Sequence, residues 1–151
     1  MKDTLERLRT ILETVPPRLR AISEAESVRR PAADKWSRKE ILGHLIDSAA
    51  NNHQRFVRGQ LVRDLSTPDY AGTEWVEAER FQERHWNDLV ELWIAYNKHL
   101  LHLMTHVPQK HRDAIIRIGD DQPASLEEVM IDYIRHLKHH LEQIGVSTAI
   151  E

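Results

Sequence analysis

The chain has 151 residues, of which 40% are hydrophobic and 30% charged, with a formal net charge of −3 and no cysteine. These values suit one soluble globular domain over residues 1–151, and they exclude disulfides, thiolate metal ligands and a cysteine nucleophile. The negative charge disfavours nucleic-acid binding, and no apolar run is long enough for a signal peptide or a membrane span, so we expect a cytoplasmic protein.

The first predicted helix carries apolar residues that alternate by three and four positions, as on one face of a helix. They are Leu5, Leu8, Leu12, Val15, Leu19 and Ile22. Pro16 and Pro17 interrupt this stripe, and proline inside a helix removes a backbone donor and clashes with the preceding turn. We therefore expect a kink or a break at this point.

The second predicted helix has a clear start signal. Ser37 and Glu40 form a capping box, and Trp36 and Ile41 are spaced as a hydrophobic staple. The periodic pattern then continues to about Gly59.

A long connection over residues 61–83 follows, and a connection of this length in a compact domain is often functional. A short helix near residues 73–81 is one possibility within it. Tyr70 and Trp75 could line a substrate pocket, although we favour a role in closing the end of the bundle.

The third predicted helix, over residues 86–107, ends before Pro108, and Ile115, Ile116 and Ile118 in the next connection could tuck under the bundle. The fourth helix starts at a capping box of Ser125 and Glu128. Four amphipathic helices around one core predict an all-α four-helix bundle.

Ten histidines are spread along the chain. For those in the last helix, helical geometry predicts which side chains face the core and which face solvent. At about 100° per residue, His140 falls inside the apolar arc, His136 at its margin and His139 in solvent. Imidazoles four residues apart stack on one face and can reach one metal ion. His102 and His106 have the same spacing, but we predict that they face solvent.

Periodicity alone places His44 on the flank of its helix, because it lies roughly 60° beyond Ile41 and outside the apolar arc. A flanking histidine on one helix could still meet His136 and His140 along a groove open to solvent. Such a set would leave metal positions for water or substrate. His53, nearer the apolar side, is expected to be a packed, hydrogen-bonded histidine.

Three sequence features together resemble the DinB-like superfamily, and most closely its YfiT-like metal-dependent hydrolases. They are Trp36-Ser37, the run from His44 through Asp47 to Ser48, and the closing His136 and His140 before Ile144. The resemblance implies a four-helix bundle with a crossover between helices two and three, and a nickel or zinc ion held by the three histidines. Homodimers are common in that superfamily, whose name does not imply DNA binding, and some relatives are low-molecular-weight-thiol transferases.

The leading hypothesis is therefore a metal-dependent hydrolase or thiol transferase that acts on an unidentified small molecule. Asp47 could serve as general base, although we favour an orienting or structural role for it. The alternative is a metal- or ligand-binding helical module without turnover. A third interpretation has no metal, with the three histidines hydrogen-bonded at a groove.

Overall fold

The computed structural model describes residues 1–146 and 148, which contain six α-helices and a small three-stranded sheet. The helices are α1 (Lys2–Arg20), α2 (Glu24–Val28), α3 (Arg38–Arg58), α4 (Gly72–Glu79), α5 (Trp86–Thr105) and α6 (Leu126–Ile144). The strands are β1 (Asp64–Thr67), β2 (Ile115–Ile118) and β3 (Ala124–Ser125).

The four long helices α1, α3, α5 and α6 form the predicted bundle. Helix α3 packs against both α5 and α6, and α1 packs against the same two helices from the other side. The apolar stripes read from the sequence face inward, and the side chains of Leu8, Leu42, Trp93 and Leu137 are fully buried. Burial of these stripes is the main source of helical stability, since in proteins an amphipathic helix is held mostly by tertiary packing of its apolar face.

The predicted capping boxes are present at both helix starts. Ser37 caps α3 with Glu40, and Ser125 caps α6 with Glu128, each through a reciprocal pair of hydrogen bonds. Gly145 ends α6 with a positive φ of 94°, a conformation that glycine adopts without steric cost. These local signals fix the start and end of the helices that carry the candidate ligands.

Of the kink or break predicted at Pro16 and Pro17, the break is wrong, because α1 is helical through both prolines to Arg20. The prolines leave the carbonyls of Leu12 and Glu13 without their helical N–H donors. Pro16 is buried in line with the apolar stripe of α1, so tertiary packing holds the helix across this weak point.

The two connections contain regular structure that the sequence pattern predicted only in part. The short helix expected near residues 73–81 is α4, and the buried side chain of Ile116 lies under the bundle as expected. Strand β1 pairs with β2 in parallel, and β2 pairs with β3 in antiparallel register, so the sheet ties residues 64–67 to 115–125. None of the described helices combines the length and apolar character that crossing a membrane requires.

Candidate metal centre

Helices α3 and α6 bring three imidazoles together. The Nε2 atoms of His44 and His136 lie 3.1 Å apart, and the ring of His140 lies 4.8 Å from that of His44 between centroids. One nitrogen from each of the three residues falls within 4.8 Å of the others. The three residues that the sequence singled out therefore meet, although 92 positions separate His44 from His136.

His44 is covered by structure that a helical wheel does not include. Its ring packs against that of Trp36 at 5.1 Å and faces that of Tyr70 at 6.3 Å. The backbone of Gly72, at the start of α4, approaches so closely that a Cβ there would lie 3.2 Å from the imidazole. The connection after α3 thus encloses a position that periodicity placed on the flank.

On α6 the exposed position of His139 is confirmed, whereas His136 and His140 are both half-buried. The wheel placed His140 deeper than His136, whereas the structure gives both residues intermediate exposure. The Nδ1 atom of His140 donates to Oε1 of Gln143 at 2.8 Å, and the Gln143 amide also contacts His139. A proton on Nδ1 leaves the Nε2 lone pair of His140 free to bind a ligand.

The electrostatics of the cluster favour neutral rings. Burial, followed by the neighbouring His140 and His136, lowers the pKa of His44 from 6.5 to about 4. Burial and then His140 lower the pKa of His136 to about 4, and burial lowers the pKa of His140. At neutral pH all three imidazoles therefore carry a lone pair on one ring nitrogen.

A divalent ion fits this donor set. Two nitrogens that each lie ~2.0–2.1 Å from a common ion must lie roughly 3 Å apart, which agrees with the separation of His44 and His136. Within the described residues, the cluster contains three imidazoles and no carboxylate. Three protein ligands leave coordination positions open to water or substrate, as in catalytic rather than structural sites.

The cluster borders a cavity of about 650 Å³, whose walls include His44 and His136. Ser48, Asn52 and Arg55 line it from successive turns of α3, and β2 and the turn that follows β2 close the opposite side. The expected solvent-reachable groove is therefore a partly enclosed pocket. Its volume suits a small-molecule ligand.

The two connection aromatics differ in position. Tyr70 lines the cavity beside His44, whereas Trp75 packs against Tyr70 at 5.2 Å and is 39% exposed. The structure thus supports the pocket interpretation for Tyr70 over a role in closing the end of the bundle.

Asp47 lies on α3 but outside the cavity lining, and it is buried with one carboxylate oxygen lacking a hydrogen-bond partner. Burial, together with the nearby charge of Glu79, raises the pKa of Asp47 from 3.8 to about 7. No hydrogen bond joins it to any of the three histidines, so its position gives no support to a role as general base.

The remaining histidine predictions agree with the structure. His102 on α5 and His106, which directly follows that helix, are both exposed. His53 is half-buried, with Nδ1 3.3 Å from the hydroxyl of Tyr96 and its ring beside that of His99. Sequence reasoning missed Arg55, because an arginine in the last turn of a helix is commonplace and gives no signal of burial.

The sequence matches the family model of the DinB superfamily over residues 4–144. The chain belongs to the DinB superfamily. A comparison with curated proteins gives no match.

Solved structures similar to this DinB-superfamily chain include YfiT from Bacillus subtilis, described as a probable metal-dependent hydrolase with an unusual four-helix bundle topology. It has a TM-score of 0.72 at 17% identity, over 97% of this chain and 90% of that chain. The DinB-like protein YjoA of Bacillus subtilis has a TM-score of 0.67 at 15% identity, over 95% of this chain and 87% of that chain.

A mycothiol-dependent maleylpyruvate isomerase has a TM-score of 0.79 at 12% identity. The alignment covers 96% of this chain but only 60% of the isomerase. At these identities the structural likeness establishes the fold, and the activities belong to the proteins named.

Proposed function

We propose that this chain is a metal-dependent enzyme of hydrolase or thiol-transferase type, with its ion held by His44, His136 and His140. The observation that carries the proposal is the meeting of three imidazoles beside a cavity of about 650 Å³, of which His44 and His136 line the wall. Nickel and zinc are the metals we propose, since both suit imidazole ligands. Two metal- or thiol-dependent structural relatives support the same chemistry.

Each residue around the set has a positioning role. Gln143 orients the ring of His140, while Trp36 and Gly72 enclose His44. A zinc or nickel ion held there with an open coordination position would supply Lewis acidity. Such an ion can lower the pKa of a bound water or accept a thiolate as a ligand. Hydrolysis and thiol transfer both draw on that one capability.

A hydrolase of this type also requires a general base near the cavity. Asp132 lies one helical turn before His136, lines the cavity, and its charge acts on that imidazole. We assign this role to Asp132 in preference to Asp47, which does not line the cavity.

Metal binding is tested on protein purified without an affinity tag, by metal analysis and by titration calorimetry with zinc and nickel. We expect one ion per chain. Gln143→Ala should weaken binding by about 10–100-fold, as is typical when an outer partner of a ligand is lost. His140→Ala and His136→Ala should weaken it more than that, whereas His139→Ala should retain binding.

Two outcomes would contradict the metal site. One is the absence of stoichiometric metal together with no thermal shift on adding zinc or nickel. The other is an equal loss of binding in His139→Ala and His140→Ala. That result would refute the prediction that His140 points to the metal site and His139 to solvent.

Turnover is tested separately, with the metal-loaded protein and generic ester, amide and thiol-transfer substrates. We expect activity that disappears in His136→Ala. Activity that survives this substitution would count against metal catalysis. Metal binding without any turnover would favour the alternative of a non-catalytic metal- or ligand-binding module.

A further inference from the structure

Arg55 places a buried positive charge in the wall of the cavity that holds His44 and His136. Its side chain comes from the last turn of α3 and is 7% exposed. One terminal guanidinium nitrogen, Nη2, is fully buried and has no hydrogen-bond partner. The nearest acid, Asp69, has its Oδ1 4.0 Å from that nitrogen, beyond hydrogen-bond distance.

The guanidinium of Arg55 lacks the full set of partners that a buried charge normally has. A buried charge is costly unless it is paired and hydrogen-bonded, and a guanidinium has five N–H donors to satisfy. The side chain of Asp69 is 66% exposed, so water screens its charge. Burial lowers the pKa of Arg55 in spite of the opposing attraction of Asp69, Tyr70 and Asp121.

We propose that Arg55 anchors a carboxylate group of the substrate. The planar guanidinium fork matches a carboxylate in geometry, and the ligand would supply the acceptors that the protein does not. This inference rests on the proposed function, because the anchored molecule would extend along α3 towards His44. The substrate class is thus a small carboxylic acid whose reacting group lies away from its carboxylate.

The charges around the cavity favour a carboxylate over a phosphate. Among the described residues that line the cavity, Arg55 is the single lysine or arginine. Four exposed acids line the same cavity, namely Asp69, Asp121, Glu128 and Asp132. One buried cation behind an acidic mouth suits a monoanion, whereas a dianionic phosphate meets stronger repulsion.

A purely structural role makes a different prediction about stability. If Arg55 only held α3 against the connection, its removal would destabilise the protein. If it awaits a ligand, replacing this unpaired buried charge by an apolar side chain of similar length removes a cost. We therefore expect Arg55→Met to have a higher melting temperature than the wild type in the absence of ligand.

Binding is measured by titration calorimetry on the full chain, both zinc-loaded and metal-free, after dialysis to remove any carboxylate chelator. The probes are acetate, succinate and benzoate, each compared with its uncharged amide, and inorganic phosphate. We expect the wild type to bind at least one carboxylate at millimolar concentration and its amide much more weakly. Arg55→Gln should weaken that binding about tenfold or more, as expected for loss of a charged hydrogen bond.

The matched control is Arg58→Gln, which removes an exposed arginine from the same end of α3 and should bind as the wild type does. Arg55→Lys keeps the charge without the fork and should fall between the wild type and Arg55→Gln. Folding of each variant is checked by circular dichroism and by its zinc affinity, which should be unchanged.

Several results would overturn the assignment. They are no binding of any carboxylate by the wild type, equal binding of acid and amide, unchanged binding in Arg55→Gln, or a lower melting temperature of Arg55→Met. Tighter, Arg55-dependent binding of phosphate would overturn the carboxylate class. Because carboxylate binding is also measured without metal, failure of this inference is distinguishable from failure of the metal site.

Discussion

Asp47 is a carboxylic acid enclosed by the packing of α3, 3% exposed and with one oxygen unpaired. With a pKa of about 7 it keeps its proton in the folded protein over a range in which the unfolded chain, at about 3.8, has already lost it. Between these two values the unfolded state binds fewer protons at this carboxyl group, so the contribution of Asp47 to stability falls as the pH rises. A buried acid of this kind weakens the fold at neutral pH.

Asp47→Asn removes the ionisable group at nearly constant shape. We expect its free energy of unfolding to exceed that of the wild type at about pH 8, by on the order of 1–4 kcal/mol, and to match it near pH 4. Urea denaturation at several pH values measures the difference. The control is Asp120→Asn at an exposed position, which should show no such pH dependence. If Asp47→Asn is less stable than the wild type at pH 8, the raised pKa of Asp47 does not destabilise the fold.

At the scale of elements, Gly43 permits the contact between α3 and the turn that follows α4. A Cβ at this position would lie 2.1 Å from the ring of Phe81, a distance at which something must move. Two effects oppose each other in Gly43→Ala. Alanine favours a helix interior by roughly 0.5–1 kcal/mol over glycine, whereas overpacking a tight core costs about 1–3 kcal/mol.

The steric term is the larger of the two because Phe81 is itself buried and cannot swing into solvent. We expect Gly43→Ala to lower the free energy of unfolding by about 1–2 kcal/mol, measured by urea denaturation. In a Phe81→Ala background the same substitution should be neutral or stabilising, because the ring that would clash with the new Cβ is gone. The double-mutant cycle thereby isolates the contact between residues 43 and 81. A stabilising effect of Gly43→Ala in the wild type would show that helix propensity prevails.

The elements also show where sequence reasoning succeeds and where it stops. Capping boxes and apolar stripes are local and predicted α3 and α6 with their ends. The sequence pattern predicts none of the three strands, because segments of 4, 4 and 2 residues carry no readable alternation. The unbroken α1 shows tertiary packing overriding the local preference of Pro16 and Pro17.

The same limit applies to the candidate site. The spacing of His136 and His140 is a property of one helix and could be read directly. His44 needed the family resemblance, since Trp36, Tyr70 and Gly72 enclose it from outside its own helix. Arg55 could not be found at all, because its burial depends on connections whose path the sequence does not specify.

Across the whole molecule, a bound ion would join α3 to α6 and therefore act on global stability. A ligand that binds only the folded state stabilises it by about 2.7 kcal/mol at a free concentration 100 times its dissociation constant. The binding histidines must be neutral, and the pKa values of about 4 for His44 and His136 keep them so well below the usual histidine range. The contribution of these histidines to the stability of the metal-free protein should decrease as the pH falls from about 6.5, where unfolded histidines gain protons, towards 4. It is opposite in sign to the contribution of Asp47 over that range.

We accordingly expect the rise in melting temperature on adding zinc to be as large at about pH 6 as at pH 8, and to vanish near pH 4. Calorimetric scans with and without zinc across this range test the prediction. His136→Ala serves as the control and should show no zinc effect at any pH. A zinc effect that already halves near pH 6.5 would indicate histidines of ordinary basicity and contradict the burial argument.

The candidate ligands lie on helices, whereas part of the cavity wall is formed by a connection, and this has a consequence for protein engineering. The three candidate ligands are fixed to α3 and α6, while the far wall of the cavity consists of β2 and the short turn that follows it. A combinatorial library confined to residues 120–123, which lie between β2 and β3, could therefore reshape the pocket for a new substrate without disturbing the ligand set. Loops carried on a rigid scaffold tolerate such replacement well, which makes this chain a suitable starting framework for directed evolution.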